Sequence, residues 1–351
     1  MCIIRLLADM YQRQRVRATW RGSMSQTFTT QNGVRQGGVL SPILFSVYID
    51  VLLIRLANSG FGCYIGHEYF GALGSADDLT LLAPTVFALR AMLKICEDYG
   101  SEFDVLYNAS KTVCIFFNGK RYYREHPPAV FLNENRLNWV VQVKHLGNTI
   151  TWNLSEENEI DNKICDFIGR TNSLIANFKF TNRSILSHVF CTQCCHLYGC
   201  QAWALDSKCI DRFDVSWRKA IRKLWCLPYR ARSKVLPILV NSQSVKDHAM
   251  SRFVKLYRTI LYGNNNKMKL LCNISVNSKH KGIMGNNVII ISKRFNCGFE
   301  NLTYIPKFHD NNEVHRANMI LELTTCLEGG GSMENFSHED IKAIRDCIAC
   351  Y

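Results

Sequence analysis

The chain has 351 residues, 47% hydrophobic and 20% charged, with a formal net charge of +13. That length buries a substantial core in two or three domains, and the positive excess favours a polyanionic partner, a nucleic acid first of all. Sixteen cysteines, with no secretory signal and mostly in apolar helical stretches, argue against a disulfide-stapled secreted fold. They read as reduced thiols of an intracellular protein, nuclear or cytoplasmic. No uninterrupted apolar run nears the ~20 residues of a membrane span, so no membrane partner is expected.

In chain order, the first eleven residues predict an amphipathic helix, interrupted by Arg5 and Asp9, rather than a targeting peptide. Arg13, Arg15 and Arg17 then alternate ahead of Trp20-Arg21-Gly22-Ser23. This pattern predicts a hairpin with one basic face, suited to phosphate backbones or to protecting an exposed strand edge. Ser41-Pro42 reads as a helix start, with Ser41 as N-cap, and the apolar run from Ile43 to Leu56 predicts a helix meant for burial. Just before it lie Gln36, Gly37 and Gly38, where missing side chains let a nucleotide or template base approach the backbone. The stretch from Tyr69 to Leu82 predicts two strands of a hairpin with Asp77 and Asp78 at or just after the turn. Two adjacent carboxylates repel unless a cation sits between them, and Mg²⁺ takes carboxylate oxygens and substrate phosphates. The plainer reading of Asp-Asp is turn chemistry.

A helix is predicted from Val86 to Gly100. Strands are predicted around Phe103–Tyr107 and Thr112–Phe117, with Asn108 and Lys111 on the turn between them. Residues 118–128 read as a loop, and short strands follow to Thr151. From Ser155 the period lengthens to that of helices, over 155–175, Arg183–Tyr198, Ile210–Leu227 and Val245–Tyr262. Arg218, Lys219, Arg222 and Lys223 lie near Trp217 and Trp225. A core tryptophan pair under a solvated basic face is favoured there over a base-stacking surface. Cys191, Cys194, Cys195, His196 and Cys200 fall on one predicted helix, which favours packing over a zinc site. Residues 263–306 read as a loose connection, Gly329–Gly331 as a linker, and Ser337 with Asp340 as the cap of a last helix. Cys347 and Cys350 have no partner pair at zinc-finger spacing.

Two stretches together carry a resemblance: GVRQGGVLSPILF (Gly33–Phe45) and SADDLTLLAP (Ser75–Pro84). They resemble the loop-and-helix motif and the catalytic hairpin of the reverse transcriptase palm. NASKT (Asn108–Thr112), HLGNTI (His145–Ile150) and LYGCQAWAL (Leu197–Leu205) extend the resemblance to the polymerases of non-LTR retrotransposons. The resemblance implies an α+β fold: a partial polymerase palm, an antiparallel sheet with packing helices, followed by an all-α thumb-like region. It places a reverse transcriptase domain at 1–151, lacking fingers and the first catalytic motif. A helical thumb-like or connecting region follows at 152–262, then a poorly defined C-terminal extension at 263–351. It implies Asp77 and Asp78 as catalytic ligands of Mg²⁺ or Mn²⁺. Arg35, Gln36, Gly37, Gly38 and Lys111 would bind nucleotide and template, and His145, Leu146 and Gly147 would form a primer grip. An RNA template, a DNA primer and deoxynucleoside triphosphates are the implied partners.

The resembled enzymes use two metal ions and a third aspartate on an earlier strand, in a motif such as FxDxxxAFD. No such motif occurs in these 351 residues. Met1 falls after its expected position, which reads as an N-terminal truncation. Asp9 and Asp50 are the available substitutes and both lie on predicted helices. Ser75 stands where the family usually has tyrosine. The expectation is therefore a polymerase by descent, inactive alone. The alternatives are a non-catalytic RNA- or DNA-binding module, or a group II intron maturase-like protein, against which LYGCQAWAL argues.

Overall fold

The computed structural model describes residues 2–12, 14–30, 33–34, 37–117, 127–179, 181–278 and 282–295. They divide into two units, Met1–Cys114 with Lys120–Trp139, and Ile115–Gly119 with Val140–Tyr351.

The described strands of the first unit are two to four residues long, and most are closed by tight turns. β1 (Gln14–Val16) pairs with β4 (Phe28–Thr30), enclosing the hairpin of β2 (Thr19–Trp20) and β3 (Ser23–Met24). The hairpins β5–β6 (Tyr64–Ile65, Glu68–Tyr69), β7–β8 (Ala72–Ser75, Asp78–Leu81) and β10–β11 (Phe131–Leu132, Asn135–Arg136) follow the same plan. β9 (Val113–Cys114) and β12 (Asn138–Trp139) pair in parallel. The second unit adds β13 (Gln142–His145) and β14 (Asn148–Thr151). Arg21, Gly66, Ala76, Asn133 and Leu146 each open a two-residue loop with positive φ. That is the mark of primed turns, whose twist matches the strands they join. Among the described residues the pairings stay two-stranded. The structure is thus a mixture of helices and short, mostly antiparallel strand pairs; among the described residues the antiparallel sheet expected from the sequence is present as separate two-stranded pairs. Strands this short leave little ladder for a third partner.

Among the described residues three helices complete the first unit: α1 (Cys2–Tyr11), α2 (Ser41–Asn58) and α3 (Val86–Phe103). α3 starts where Thr85 Oγ1 accepts the Ala88 amide at 3.1 Å and stops at Asp104, in the left-handed region. It overruns its predicted end because Phe103 stacks on Tyr99, with centroids 4.4 Å apart. The strand expected at 103–107 is that helix end plus a loop, in which the Val105 amide donates to Gly100 O. Leu52 and Leu56 of α2 interlock with Met92, Cys96 and Tyr99 of α3, and Arg55 grips Glu102 bidentately at 2.6 and 3.0 Å.

Two expectations for α2 fail. Ser41 does not cap the helix; it is buried inside the first turn, after a Leu40 N-cap that makes no side-chain bond. Nor is the apolar run buried all round, since Ile43, Val47, Val51 and Ile54 are exposed. By length and composition alone α2 is also apolar enough to cross a bilayer, although no uninterrupted apolar run in the sequence predicts a membrane span. Its Leu52 and Leu56 pack on α3 and its Arg55 pairs with Glu102, while the Ile43, Val47, Val51 and Ile54 side chains stay exposed among the described residues.

The second unit is helical: α4 (Glu157–Asn177), α5 (Arg183–Val189), α6 (Lys208–Leu224), the short α7 (Leu236–Leu239), α8 (Val245–Tyr262), α9 (Asn266–Asn277) and α10 (Ile283–Phe295). Ile160, Phe167, Phe213, Trp217, Phe253 and Ile291 belong to one continuous core. α8 has its predicted bounds because Ser244 accepts the Asp247 amide at one end and Gly263 follows the other. The helix expected over Arg183–Tyr198 breaks instead into a π-helical turn at Phe190–Cys194. Cys194 and Cys200 are buried there, Cys191 Sγ donates to Val240 O at 3.3 Å, and burial pushes the Cys200 thiol up to about 11. Asn266–Asn277 and Ile283–Phe295, expected as part of a loose connection, form α9 and α10 and place Cys272, Val288 and Ile291 in the core. The Gly329 linker, the Ser337–Asp340 cap and Cys347/Cys350 lie outside the described residues.

Glu159 ties β14 to α4: Oε2 accepts the Thr149 amide at 2.7 Å and Lys163 Nζ sits 2.9 Å from Oε1. Burial raises this carboxyl, Lys163 and Thr149 lower it, and the balance leaves it below the usual carboxylate range. A carboxyl depressed by folding contributes stability that is fully present above its unfolded pKa of about 4.3 and is lost as pH falls through the folded value. Glu159→Gln is therefore expected to cost about 2 kcal/mol at neutral pH. In urea titrations the gap from wild type should narrow only below about pH 4.3. A gap that is unchanged down to acid unfolding would show that the charge contributes nothing.

Candidate functional site

The β7–β8 register is Ala72↔Leu81, Leu73↔Thr80, Gly74↔Leu79 and Ser75↔Asp78. A Cβ on Gly74 would lie 3.5 Å from Leu53 Cδ1, and Ala72, Leu79 and Leu81 pack on the α2–α3 core. By strand alternation Ser75 and Asp78 belong to the opposite face. Asp77 is the second turn residue and Asp78 the first of β8; both are exposed. The hairpin predicted from the sequence thus forms, with its carboxylates at the turn end. Ala76, which precedes them, has φ +52°. A left-handed conformation costs a residue with a Cβ roughly 1–2 kcal/mol. No glycine relieves it, so the tight turn that holds the aspartates together is kept at a local cost.

Two neighbouring exposed carboxylates suit one Mg²⁺, which takes one or two protein carboxylates, waters and substrate phosphates. Among the described residues no third Asp, Glu, His or Cys joins them in a group able to hold a metal. Asp9 lies exposed on α1 and Asp50 exposed on α2, each on a helix as expected.

The other predicted residues fall in three places. Gly37 and Gly38 lead into α2; Gly37 has φ +79°, and a Cβ there would meet nothing within 4 Å, so the loop backbone is open to a ligand. Arg35 and Gln36 lie outside the described residues. Lys111 is exposed on a turn built by Asn108, whose Oδ1 accepts from the Lys111 amide at 3.2 Å and from Ser110 Oγ at 2.7 Å. His145, Leu146 and Gly147 belong to the second unit, at the end of β13 and in its turn; His145 is half-buried.

That turn interlocks with a motif distant in sequence. A Cβ on Gly147 would lie 3.2 Å from Tyr198 Cε1, and one on Gly199 would collide with Asn148 Oδ1. Each glycine makes room for the side chain next to the other. HLGN and LYG, some fifty residues apart in the sequence, are halves of one contact. Sequence reading found both motifs and missed their connection.

Residues 3–150 match the family described as reverse transcriptase (RNA-dependent DNA polymerase). They are a reverse transcriptase domain. Among curated relatives, this chain is 36% identical over 99 residues to the Pol polyprotein of the type-2 retrotransposable element R2DM of Drosophila melanogaster, covering 28% of this chain and 9% of that protein. It is 52% identical over 66 residues to the R2 Pol polyprotein of Nasonia vitripennis (18% and 6%). To the R1 Pol polyprotein of Bradysia coprophila it is 30% identical over 121 residues (33% and 11%). The reverse transcriptase domain is thus of the non-LTR retrotransposon type. The chain spans about a tenth of the length of these relatives.

Proposed function

We propose that the chain carries the palm and thumb of a non-LTR reverse transcriptase. Residues 1–151 would supply the template–nucleotide side and the helices after 152 the thumb. The observation that carries this reading is the two-residue hairpin presenting Asp77 and Asp78 from a strand pair whose other face is buried on α2 and α3. In this reading Asp77 and Asp78 hold Mg²⁺, with Mn²⁺ as a substitute. Bound there, the ion neutralises charge on the deoxynucleoside triphosphate. The open backbone at Gly37, with Gly38 beside it, would let a template base or nucleotide lie against the head of α2. Lys111 is available for a phosphate oxygen, and the His145–Gly147 turn supports the primer end. An intracellular location, nuclear or cytoplasmic, accords with an RNA template and a DNA primer.

The 351 residues are proposed not to extend a primer by themselves. Two-metal nucleotidyl transfer needs carboxylates on both sides of the ion pair, and the described residues bring only Asp77 and Asp78 together. This favours, as a second reading, a nucleic-acid-binding module that keeps the polymerase scaffold. Primer extension on an RNA template with Mg²⁺ or Mn²⁺ separates the two. No product is expected from this chain. Product that disappears in Asp77→Asn or Asp78→Asn would establish catalysis and overturn the inactivity claim.

A further inference from the structure

From Val215 to Lys246 the sequence has eight Lys and Arg and no Asp or Glu, so this stretch contributes +8 to a chain whose net charge is +13. The structure divides these cations into two groups. On α6, Arg218 is paired with Asp214 at 2.8 Å and Lys223 donates to Asn172 Oδ1 at 2.9 Å. Trp217 and Trp225 beneath them are buried core, the reading favoured from the sequence.

The loop after α6 is built differently. Cys226 turns it with φ +52°, and Arg183 donates to Leu224 O at 2.9 Å and to Cys226 Sγ at 3.3 Å. Arg222 reaches across to Ala231 O at 2.9 Å and Ser233 Oγ at 2.8 Å. Between these two clamps the Ala231 amide donates to Pro228 O at 3.0 Å, closing a turn with Tyr229 and Arg230 at its two central positions. Tyr229 is 80% exposed. Arg230, Lys234 and, on α6 one turn before Arg222, Lys219 are exposed as well. Two arginines are thus spent on holding an aromatic ring and a guanidinium out in solvent. Hydrophobic burial does not explain the exposed ring, and ion pairing does not explain these cations: Arg218 pairs with Asp214 and Lys246 with Asp211, whereas Lys219, Arg230 and Lys234 have no carboxylate partner among the described residues.

We propose that the Pro228–Lys234 loop is a binding site for single-stranded nucleic acid, distinct from the Asp77–Asp78 hairpin. Arg230, Lys234 and Lys219 contact phosphates, and Tyr229 stacks on an unpaired base. A pre-formed turn suits that ligand, because stacking needs a ring held out with little conformational freedom left to lose. It is sequence-tolerant, as every base offers a π face. The inference rests on the nucleic-acid reading given above but uses none of the residues proposed for polymerisation.

The test is fluorescence anisotropy of the full chain, in EDTA, with a labelled oligouridylate of about 16 nucleotides, the upper end of the usual single-strand site size. Tyr229→Ala is expected to weaken binding by about fivefold to a hundredfold. The combined Lys219→Gln, Arg230→Gln and Lys234→Gln variant should flatten the slope of log affinity against log salt by about 2. All four side chains are solvent-facing, so circular dichroism and melting should match wild type. Unchanged binding in both variants overturns the proposal. So does a Tyr229-independent preference for duplex, or equal competition by polyglutamate, which marks a site for acidic protein. Because no metal or triphosphate is present, a chain that extends no primer still passes this test. One that extends a primer but ignores these substitutions refutes it.

Discussion

Asn287→Ala is expected to lower stability by about 4 kcal/mol, because it strands two buried main-chain groups at roughly 1–3 kcal/mol each and leaves a void. Asn287 lies on α10 with no solvent exposure; its Oδ1 accepts the Leu205 amide at 2.9 Å and its Nδ2 donates to Trp203 O at 2.8 Å. Both groups belong to LYGCQAWAL, which runs as a single 3-10 turn at Cys200–Ala202 and then an extended Trp203. A buried segment without a helix or ladder must satisfy its main chain through side chains. Glu156 serves the Ala204 amide at 2.7 Å and Arg252 serves Leu197 O at 3.1 Å in the same way. A thermal melt should fall by about 10 °C, taking 2–4 °C per kcal/mol for a unit of this size. Asn287→Asp should do no better: it keeps the acceptor for Leu205 but turns a second lone pair, not a donor, on Trp203 O. A melt within about 2 °C of wild type for the alanine variant would remove Asn287 from this role.

This clamp marks the limit of what the sequence shows. The β7–β8 hairpin is legible because its signals are local: apolar residues at alternate positions, a two-residue gap, and aspartates where turns favour them. α8 is legible for the same reason, with a serine cap before it and a glycine after it. α9 and α10 are hidden by their composition. Their solvent faces carry asparagine and lysine, so a scan averages away Cys272, Val288 and Ile291, the positions that reach the core. The exposed side of α2 defeats the reverse inference: an apolar run predicts burial, and the described residues cover one face of it. At the site, the paired aspartates and the glycine loop announce themselves by type. What Arg222 holds, and which side chain fills the space beside Gly199, are long-range facts with no local signature. The one sequence signal for the Tyr229 loop is negative, the missing carboxylates from Val215 to Lys246.

Gly199→Ala combined with Asn148→Ala measures the contact that joins the two distant motifs. Gly199 has φ +83°, and an added Cβ would collide with Asn148 Oδ1 and lie 2.9 Å from Asn148 Cγ. Two costs follow. The left-handed backbone costs alanine roughly 1–2 kcal/mol wherever its neighbours stand. Displacing Asn148 adds overpacking of about 1–3 kcal/mol. Gly199→Ala alone is therefore expected to lose about 3 kcal/mol. Asn148→Ala removes the obstructing carboxamide, so in that background the same substitution should cost only the backbone part, about 1–2 kcal/mol. The double variant should therefore lose about 1 kcal/mol or more less than the sum of the two single losses, readable from urea midpoints of the four proteins. Additive losses would mean that Asn148 swings aside freely, and that HLGN and LYG touch without constraining each other. A coupling of the expected size would mean that the proposed primer-grip turn is positioned by the helical segment packed against it. Substitutions at Gly199 would then reach the primer end through Asn148, without touching nucleic acid themselves.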